Sequence, residues 1–141
     1  MNKIFIYLIA ILATLSMTDA HACSCANVPE QQKYSEASDV FIGKVTATKL
    51  ITKTENFGEQ NIATEHVEAK INITKAIKGE SSEQITVLDT VADGANCAVG
   101  LYTGREYLFY LNNNKILSIC DGTRLYNKFS DQKIIEKMLS Y

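Results

Sequence analysis

Alternation of apolar and polar residues is the clearest pattern in the middle of the chain. In residues 67–74 every second position is apolar, and this period of two predicts a strand with one buried face. Four further runs are rich in β-forming residues and predict strands of their own, at 40–50, 85–88, Glu106–Leu111 and 116–120. The pattern therefore predicts a mainly β domain.

Two short segments predict helices. Residues 30–38 follow Pro29, which suits the first turn of a helix, and we expect Asp39 to end this helix. Residues 131–139 form the second helix, with Ser130 as the expected N-cap. Its apolar face consists of four residues: Ile134, Ile135, Met138 and Leu139.

The first predicted strand contains a glycine and is followed by a long polar segment. Residues 51–64 are polar and without a clear period, which is typical of a long loop or an extended hairpin tip. Gly43 lies inside the first strand and favours a bulge or sharp coil, as small barrels require. Five short strands, this glycine and two small helices favour a five-stranded OB-fold barrel with Greek-key connectivity.

The first 22 residues have the composition of a secretory signal peptide. Lys3 precedes an apolar run at 4–15, and Ala20-His21-Ala22 is a small-x-small cleavage pattern placed just before Cys23. The run is shorter than the roughly 20 apolar residues of a transmembrane helix, and no later segment is longer. We therefore expect a signal peptide over 1–22 and one domain over 23–141, secreted or periplasmic.

A lipoprotein is the main alternative for this chain start, because bacterial lipoproteins also begin at a cysteine. Their cleavage site usually has Leu three residues before the cysteine, whereas this chain has Ala20 there and His21 next. The sequence therefore favours a product without lipid. The difference matters because acylation would block the α-amine of Cys23.

The charge balance is close to neutral. The chain has 14 Lys and Arg against 16 Asp and Glu, a net charge of −2, and removal of residues 1–22 takes away one charge of each sign. The absence of a basic excess argues against nucleic acid as a partner.

Other candidate chemistry in the sequence is sparse. An aromatic stacking surface for nucleic acid or sugar is one alternative, although an alternating strand favours packing in the core for most of Tyr102, Tyr107, Phe109 and Tyr110. His66 is a lone histidine at a strand start, and we expect it to be exposed. The sequence has no Ser/His/Asp set, paired carboxylate site or phosphate-binding loop. We therefore expect a monomeric non-enzyme without a cofactor.

The four cysteines all lie after the predicted cleavage site, at Cys23, Cys25, Cys97 and Cys120. An even number in an oxidising compartment predicts two disulfides. A bond between Cys23 and Cys25 would close a strained ring, so each is expected to pair with a distant cysteine. A zinc site is the other interpretation, but the spacing lacks paired C-x-x-C knuckles and export favours oxidation.

The order of the motifs resembles a known family. The chain has C-x-C, D-V-F-I-G-K-V at 39–45, K-A-I-K-G at 75–79, Cys97, G-R-E-Y-L-F-Y at 104–110 and Cys120. This order resembles the netrin-like module and, more narrowly, the N-terminal inhibitory domain of the tissue inhibitors of metalloproteinases. The resemblance implies an OB-fold barrel with Cys23 paired to Cys97 and Cys25 paired to Cys120.

The resemblance also implies a function, the inhibition of a zinc metalloprotease. Cys23 would chelate the zinc of the target protease, in trans, through its α-amine and carbonyl, and Ser24 would enter the protease pocket beside the zinc. Cys25 and Ala26 would lie along the substrate cleft.

A second contact strip is implied just before Cys97, formed by Ala95 and Asn96. The alternative function is an exported netrin-like binding or scaffold module without protease inhibition. Such a module would bind a protein or glycan through a barrel face or through residues 51–64.

Overall fold

A computed structural model describes residues 23–57, 60–79, 82–92 and 96–140. The predicted signal peptide and Ala95 lie outside the described residues. The elements are α1 Glu30–Glu36, β1 Asp39–Phe57, β2 Gln60–Lys78, β3 Gln84–Thr90, β4 Glu106–Leu111, β5 Arg124–Leu125 and α2 Lys128–Leu139, with a 3-10 turn at Ile119–Asp121 before β5.

The five strands form one antiparallel sheet in the order β3-β2-β1-β4-β5. β1 and β2 pair from Val40–Lys78 to Phe57–Gln60, so residues 51–64 form the outer part of a long hairpin. The hairpin interpretation of this polar segment is confirmed, and the loop interpretation is wrong. Both strands continue beyond the apolar periodicity because pairing between them satisfies the backbone donors and acceptors.

Gly43 coincides with one of three register shifts between β1 and β2, which confirms the predicted irregularity. A Cβ at this position would lie 2.5 Å from Cγ2 of Ile71. The close approach of β2 therefore excludes a side chain here.

The predicted fifth strand at 116–120 is wrong. This segment makes one parallel bridge to β3, in which the Leu88 N–H donates to Lys115 O (3.0 Å) and the Leu117 N–H donates to Leu88 O (2.7 Å). It then turns, because the Cys120 N–H donates to Oγ of Ser118 (3.1 Å). The fifth strand is β5, which pairs with β4.

The mainly β, OB-like prediction is confirmed, with five antiparallel strands, two helices and two disulfides. Within the described ranges the barrel is not closed by a continuous ladder. The bridge at Leu88 and Ile116 is the contact by which β3 reaches the chain that follows β4.

The sheet buries apolar side chains on both faces. One face carries the edge-side cluster, composed of Phe41, Val45, Ala69, Ile71, Val87, Tyr107, Phe109, Leu111 and Leu117. The other carries the helix-side cluster, composed of Ala37, Val40, Ile42, Leu108, Tyr110, Ile135 and Met138. β4 supplies residues to both clusters, which explains why its sequence is almost continuously apolar.

The helix boundaries differ from the predicted ones. α1 ends at Glu36, and Lys78 donates to the carbonyls of Tyr34 (2.7 Å) and Ala37 (2.6 Å) at its carboxyl end. A cation at the carboxyl end of a helix interacts favourably with the helix dipole. Asp39 lies three residues beyond this end and is the first residue of β1, so the prediction that it ends the helix is wrong.

α2 begins at Lys128, because Asn127 is its N-cap instead of the predicted Ser130. The Asn127 side chain accepts the N–H groups of Phe129 (3.0 Å) and Ser130 (3.5 Å). Three residues of the predicted apolar face turn inward, but Leu139 remains exposed.

Candidate functional site

The four cysteines form two disulfides that hold the start of the described chain. Cys23 is bonded to Cys97 and Cys25 to Cys120, with Cα–Cα distances of 5.4 and 5.1 Å. These are the pairings that the resemblance implied. Two residues that are almost adjacent in the sequence are therefore each anchored to a different distant segment.

The two disulfides are in contact with each other. Sγ of Cys120 lies 3.9 Å from Sγ of Cys23 and 3.8 Å from Sγ of Cys97. Sulfur atoms that are joined in disulfides are not thiolates, the form in which cysteine ligates zinc. The cluster is therefore a covalent link, and the zinc interpretation of the four cysteines is not supported.

Residues 23–26, which we call the N-terminal edge, lie at the surface. Cys23 is half-buried, whereas Ser24, Cys25 and Ala26 are exposed. The chain has no regular secondary structure here, and it bends where the Val28 N–H donates to Ala26 O (2.9 Å). The N-terminal edge is thus exposed, although two covalent bonds fix it.

A second segment, residues 96–102, runs beside the N-terminal edge and is called the strip. Asn96 donates from Nδ2 to the carbonyl of Val91, and its Oδ1 accepts the Ala98 N–H (3.2 Å). The carbonyl of Cys97 accepts the Ile119 N–H (3.1 Å). The Cys23–Cys97 disulfide therefore brings predicted contact residue Asn96 near Cys23, while Ala95 lies outside the described residues.

A buried carboxylate holds the strip. Asp89 is 1% exposed, and its two oxygens accept the N–H groups of Val99 (3.0 Å) and Gly100 (2.9 Å). Burial raises the pKa of this carboxyl above its ordinary 3.8, although the backbone hydrogen bonds oppose the shift. Sequence reasoning missed Asp89, because an acid at the end of a strand is usually exposed.

A phenol holds the same segment from β4. Oη of Tyr107 accepts the Tyr102 N–H (2.9 Å) and donates to Gly100 O (3.1 Å). Burial raises the pKa of this phenol, which keeps it protonated as a donor. Gly100 has φ of 72°, a conformation that favours glycine.

A different polar network lies at the helices. Arg124 donates from Nε (3.0 Å) and Nη2 (2.9 Å) to Oδ1 of Asp131, and from Nη1 to Oε1 of Glu30 (3.1 Å). Oη of Tyr110 donates to the second oxygen of Glu30 (2.9 Å). Glu30, Arg124 and Asp131 line a groove of about 550 Å³. Their charges are paired with each other, and the pairs join α1, β5 and α2.

The other candidates from the sequence fall into two groups. Tyr107, Phe109 and Tyr110 are buried, which confirms the packing interpretation, whereas Tyr102 is 68% exposed. His66 is buried, with Nε2 3.0 Å from Oγ1 of Thr64, so the prediction that it is exposed is wrong. It lies in the part of β2 that pairs with β3, opposite Thr90.

Two comparisons with known proteins place the chain relative to other families. A family model described as "Tissue inhibitor of metalloproteinase" matches residues 21–137, a range that includes all four cysteines, the N-terminal edge and the strip. A search among curated proteins finds no match. Among the described residues, no helix has both the length and the apolar character needed to cross a membrane.

Proposed function

The chain belongs to the tissue inhibitor of metalloproteinase family, and on this basis we propose that its mature form inhibits a zinc metalloprotease through Cys23. The observation that carries the proposal is the N-terminal edge, which is exposed and yet fixed by two disulfides. Cleavage before Cys23 converts its backbone nitrogen into a free α-amine at the start of that edge.

The chemistry of a protease zinc explains why a fixed amine inhibits. A catalytic zinc keeps one coordination position for water. The amine and carbonyl of Cys23 close a five-membered chelate at that position and displace the water. The amine binds in its neutral form, and because a free α-amine has a pKa of about 7.7–8, a modest depression suffices near neutral pH.

The disulfides contribute by restricting the N-terminal edge before it binds. A flexible chain end loses conformational freedom when it is immobilised, and preorganisation removes much of that loss. Cys23 and Cys25 are each covalently joined to the body of the domain, so the segment between them has little freedom left to lose.

The remaining contacts of this proposal are those that the family resemblance implies, and exposure of the N-terminal edge supports them. Ser24 enters the protease pocket beside the zinc, and Cys25 and Ala26 lie along the substrate cleft; all three are exposed. Ala95 and Asn96, which directly precede Cys97, form a second set of contacts with the protease. The protein acts as a monomeric inhibitor without a cofactor or catalytic activity of its own.

We propose a secreted or periplasmic location with cleavage before Cys23. Two disulfides are typical of an oxidising compartment. Measurement of the intact mass of the protein recovered from its natural compartment tests this point. A mass corresponding to residues 23–141 with two disulfides is expected, and a lipid adduct would instead support the lipoprotein alternative.

The inhibition mechanism is tested by adding one alanine before Cys23 of the 23–141 protein. The matched control carries one alanine after Tyr141, which gives the same mass and leaves the amine of Cys23 free. We expect the N-terminal addition to weaken inhibition of a zinc metalloprotease catalytic domain by at least about 100-fold, because the chelating amine becomes an amide. Both variants are expected to have the same Tm.

Equal inhibition by the two alanine variants would contradict the chelation mechanism. If neither variant nor the parent protein inhibits any zinc metalloprotease in a panel, the scaffold alternative is favoured. A scaffold partner bound through a barrel face or the outer β1–β2 hairpin would bind both variants equally.

A further inference from the structure

The strip has an unusual pattern of backbone hydrogen bonds. Residues 97–102 belong to no helix or strand within the described part of the chain. The N–H groups of Ala98, Val99, Gly100 and Tyr102 donate to side chains, and the acceptors come from Asn96, Asp89 and Tyr107. The path of the strip is therefore set by a few individual side chains, whereas the path of a strand is set by backbone hydrogen bonds to its neighbouring strand.

We infer that Asp89 and Tyr107 are positioning residues for the inhibitory surface: they fix the strip, and through Cys97 they fix the orientation of Cys23. The inference rests on the proposed function for its consequence, and on hydrogen-bond geometry for its structural content. Neither side chain has to touch the protease, because both are 1% exposed.

The two side chains bracket the strip from two different strands. Asp89 lies in β3 and receives the N–H groups of Val99 and Gly100, one on each carboxylate oxygen. Tyr107 lies in β4 and engages the carbonyl of Gly100 and the N–H of Tyr102. Gly100 is held by both, so it cannot shift without breaking a hydrogen bond to one strand or the other.

Both groups are themselves held rigidly. The ring of Tyr107 packs in the edge-side cluster with its centroid 5.8 Å from that of Phe109. Asp89 lies in the part of β3 that pairs with β2, opposite Val67. A hydrogen-bonding group imposes a position only when it is fixed, and here core packing fixes Tyr107 while strand pairing fixes Asp89.

The disulfide carries this position to the chain start. Cys97 is two residues from Val99 and is bonded to Cys23. Its carbonyl also accepts the Ile119 N–H, which couples the strip to the turn that contains Cys120. A displacement of the strip therefore moves the anchors of the N-terminal edge, and small misplacements at a reacting centre have large effects on binding.

The presence of a buried acid at this position agrees with a positioning role. The hydrogen bonds of Asp89 come from backbone N–H groups, and burial of a carboxylate opposes folding unless a cation or several donors compensate it. Residues that break a local rule of stability are expected at functional sites. Asp89 is such a residue, because it orders a segment that has no ladder of its own.

The test compares Tyr107→Phe and Asp89→Asn with the control Thr123→Val. Each change alters one buried polar group and keeps the size of the side chain. Thr123 is a matched control because its hydroxyl, like that of Tyr107, accepts one backbone N–H and donates to one carbonyl, both of Tyr110. It is 2% exposed, and its hydroxyl forms its hydrogen bonds with β4, whereas that of Tyr107 forms them with the strip.

Two readouts are measured on the disulfide-bonded protein, amide hydrogen exchange and the inhibition constant for a zinc metalloprotease. In both strip variants we expect exchange at residues 98–102 and at Ile119, whose N–H donates to Cys97 O, to become about 10-fold faster, because a lost hydrogen bond is worth up to about tenfold in an opening equilibrium. The inhibition constant is expected to rise about 10-fold. The control is expected to lower Tm but to leave exchange in these segments and the inhibition constant unchanged.

The inference is overturned if the strip variants leave exchange at these segments unchanged, or accelerate it without weakening inhibition. It is also overturned if Thr123→Val weakens inhibition as much as they do, since the effect would then be general destabilisation. If the unmodified protein does not inhibit, the proposed function fails separately. Exchange at Ile119, which donates to the carbonyl of Cys97, then decides whether the two side chains position the disulfide anchor of the N-terminal edge.

Discussion

Two regions of the molecule each bury a carboxylate but compensate it differently: the helix end around Asp131 of α2, and the edge end around Asp89 of β3. At the helix end, Asp131 receives two nitrogens of Arg124 and the N–H of Asn127 (2.7 Å). At the edge end, Asp89 receives the N–H groups of Val99 and Gly100. One carboxylate is neutralised by a cation, and the other is solvated by backbone donors.

The difference reflects what each end must do. At the helix end, α1 and α2 cover the helix-side cluster, and the Arg124 network joins elements that already bury apolar surface. At the edge end, the N-terminal edge stays exposed and is fixed by disulfides and side-chain hydrogen bonds. Covalent links thus allow a segment to be rigid without being buried, which leaves its backbone accessible to a partner.

The largest expected effect comes from removing a disulfide at the edge end. Replacement of both Cys25 and Cys120 by Ser should lower the free energy of unfolding by about 2–5 kcal/mol, because the cross-link closes a long loop. Urea unfolding under non-oxidising, non-reducing conditions measures the loss. A loss below about 1 kcal/mol would show that hydrogen bonds such as those of Asp89 hold this end without the bridge.

A smaller effect is expected from Arg124→Met at the helix end. Asp131 would keep a side chain that is 3% exposed without its cation, which costs several kcal/mol for a buried pair. Arg124 is itself 30% exposed, so we expect about 2–3 kcal/mol in urea unfolding after allowance for solvent screening.

The control for the helix end is Arg124→Met combined with Asp131→Asn, which removes the uncompensated charge. The double variant should recover part of the lost stability. A single variant that costs more free energy of protease binding than free energy of unfolding would contradict the assignment of inhibition to the edge end alone.

The smallest effect is the pH dependence of Asp89. Its pKa in the folded protein is raised by burial above the ordinary 3.8, so the folded state binds this proton more tightly than the unfolded chain. The stabilisation is fully present below about pH 3.8 and is lost as pH rises through the folded pKa. The difference in unfolding free energy between the parent protein and Asp89→Asn should therefore shrink between pH 3 and 7. A difference that grows with pH would mean that the backbone hydrogen bonds outweigh burial.

The sequence predicted the elements whose signal is local. The alternation in β2 and the apolar run of β4 located these strands, and Gly43 located an irregularity of β1. The outer hairpin was ambiguous, because residues 51–64 are mostly polar and their sequence has no period that distinguishes strands from a loop. The disulfide pairing followed from family resemblance, since spacing alone left two pairings open.

Other features depended on contacts between distant segments. The short strand β5 at Arg124–Leu125 has no pattern of its own and forms by pairing with β4. His66 is polar but buried in the folded protein, in the part of β2 that pairs with β3. The positioning role of Asp89 depends on residues ten and eleven places later in the chain, and nothing in the pattern of β3 indicates that those residues return to it.

The sequence by itself determined the strand-rich composition, the C-x-C beside a small-x-small cleavage pattern and the membership of the inhibitor family. These follow from residue types and from order along the chain. Only the tertiary structure decided how the exposed N-terminal edge is held: two disulfides in contact, with a strip bracketed by Asp89 and Tyr107. The reason is physical, because hydrogen bonds between distant side chains and backbone depend on distance in space, whereas periodicity records only which face of its own element a residue occupies.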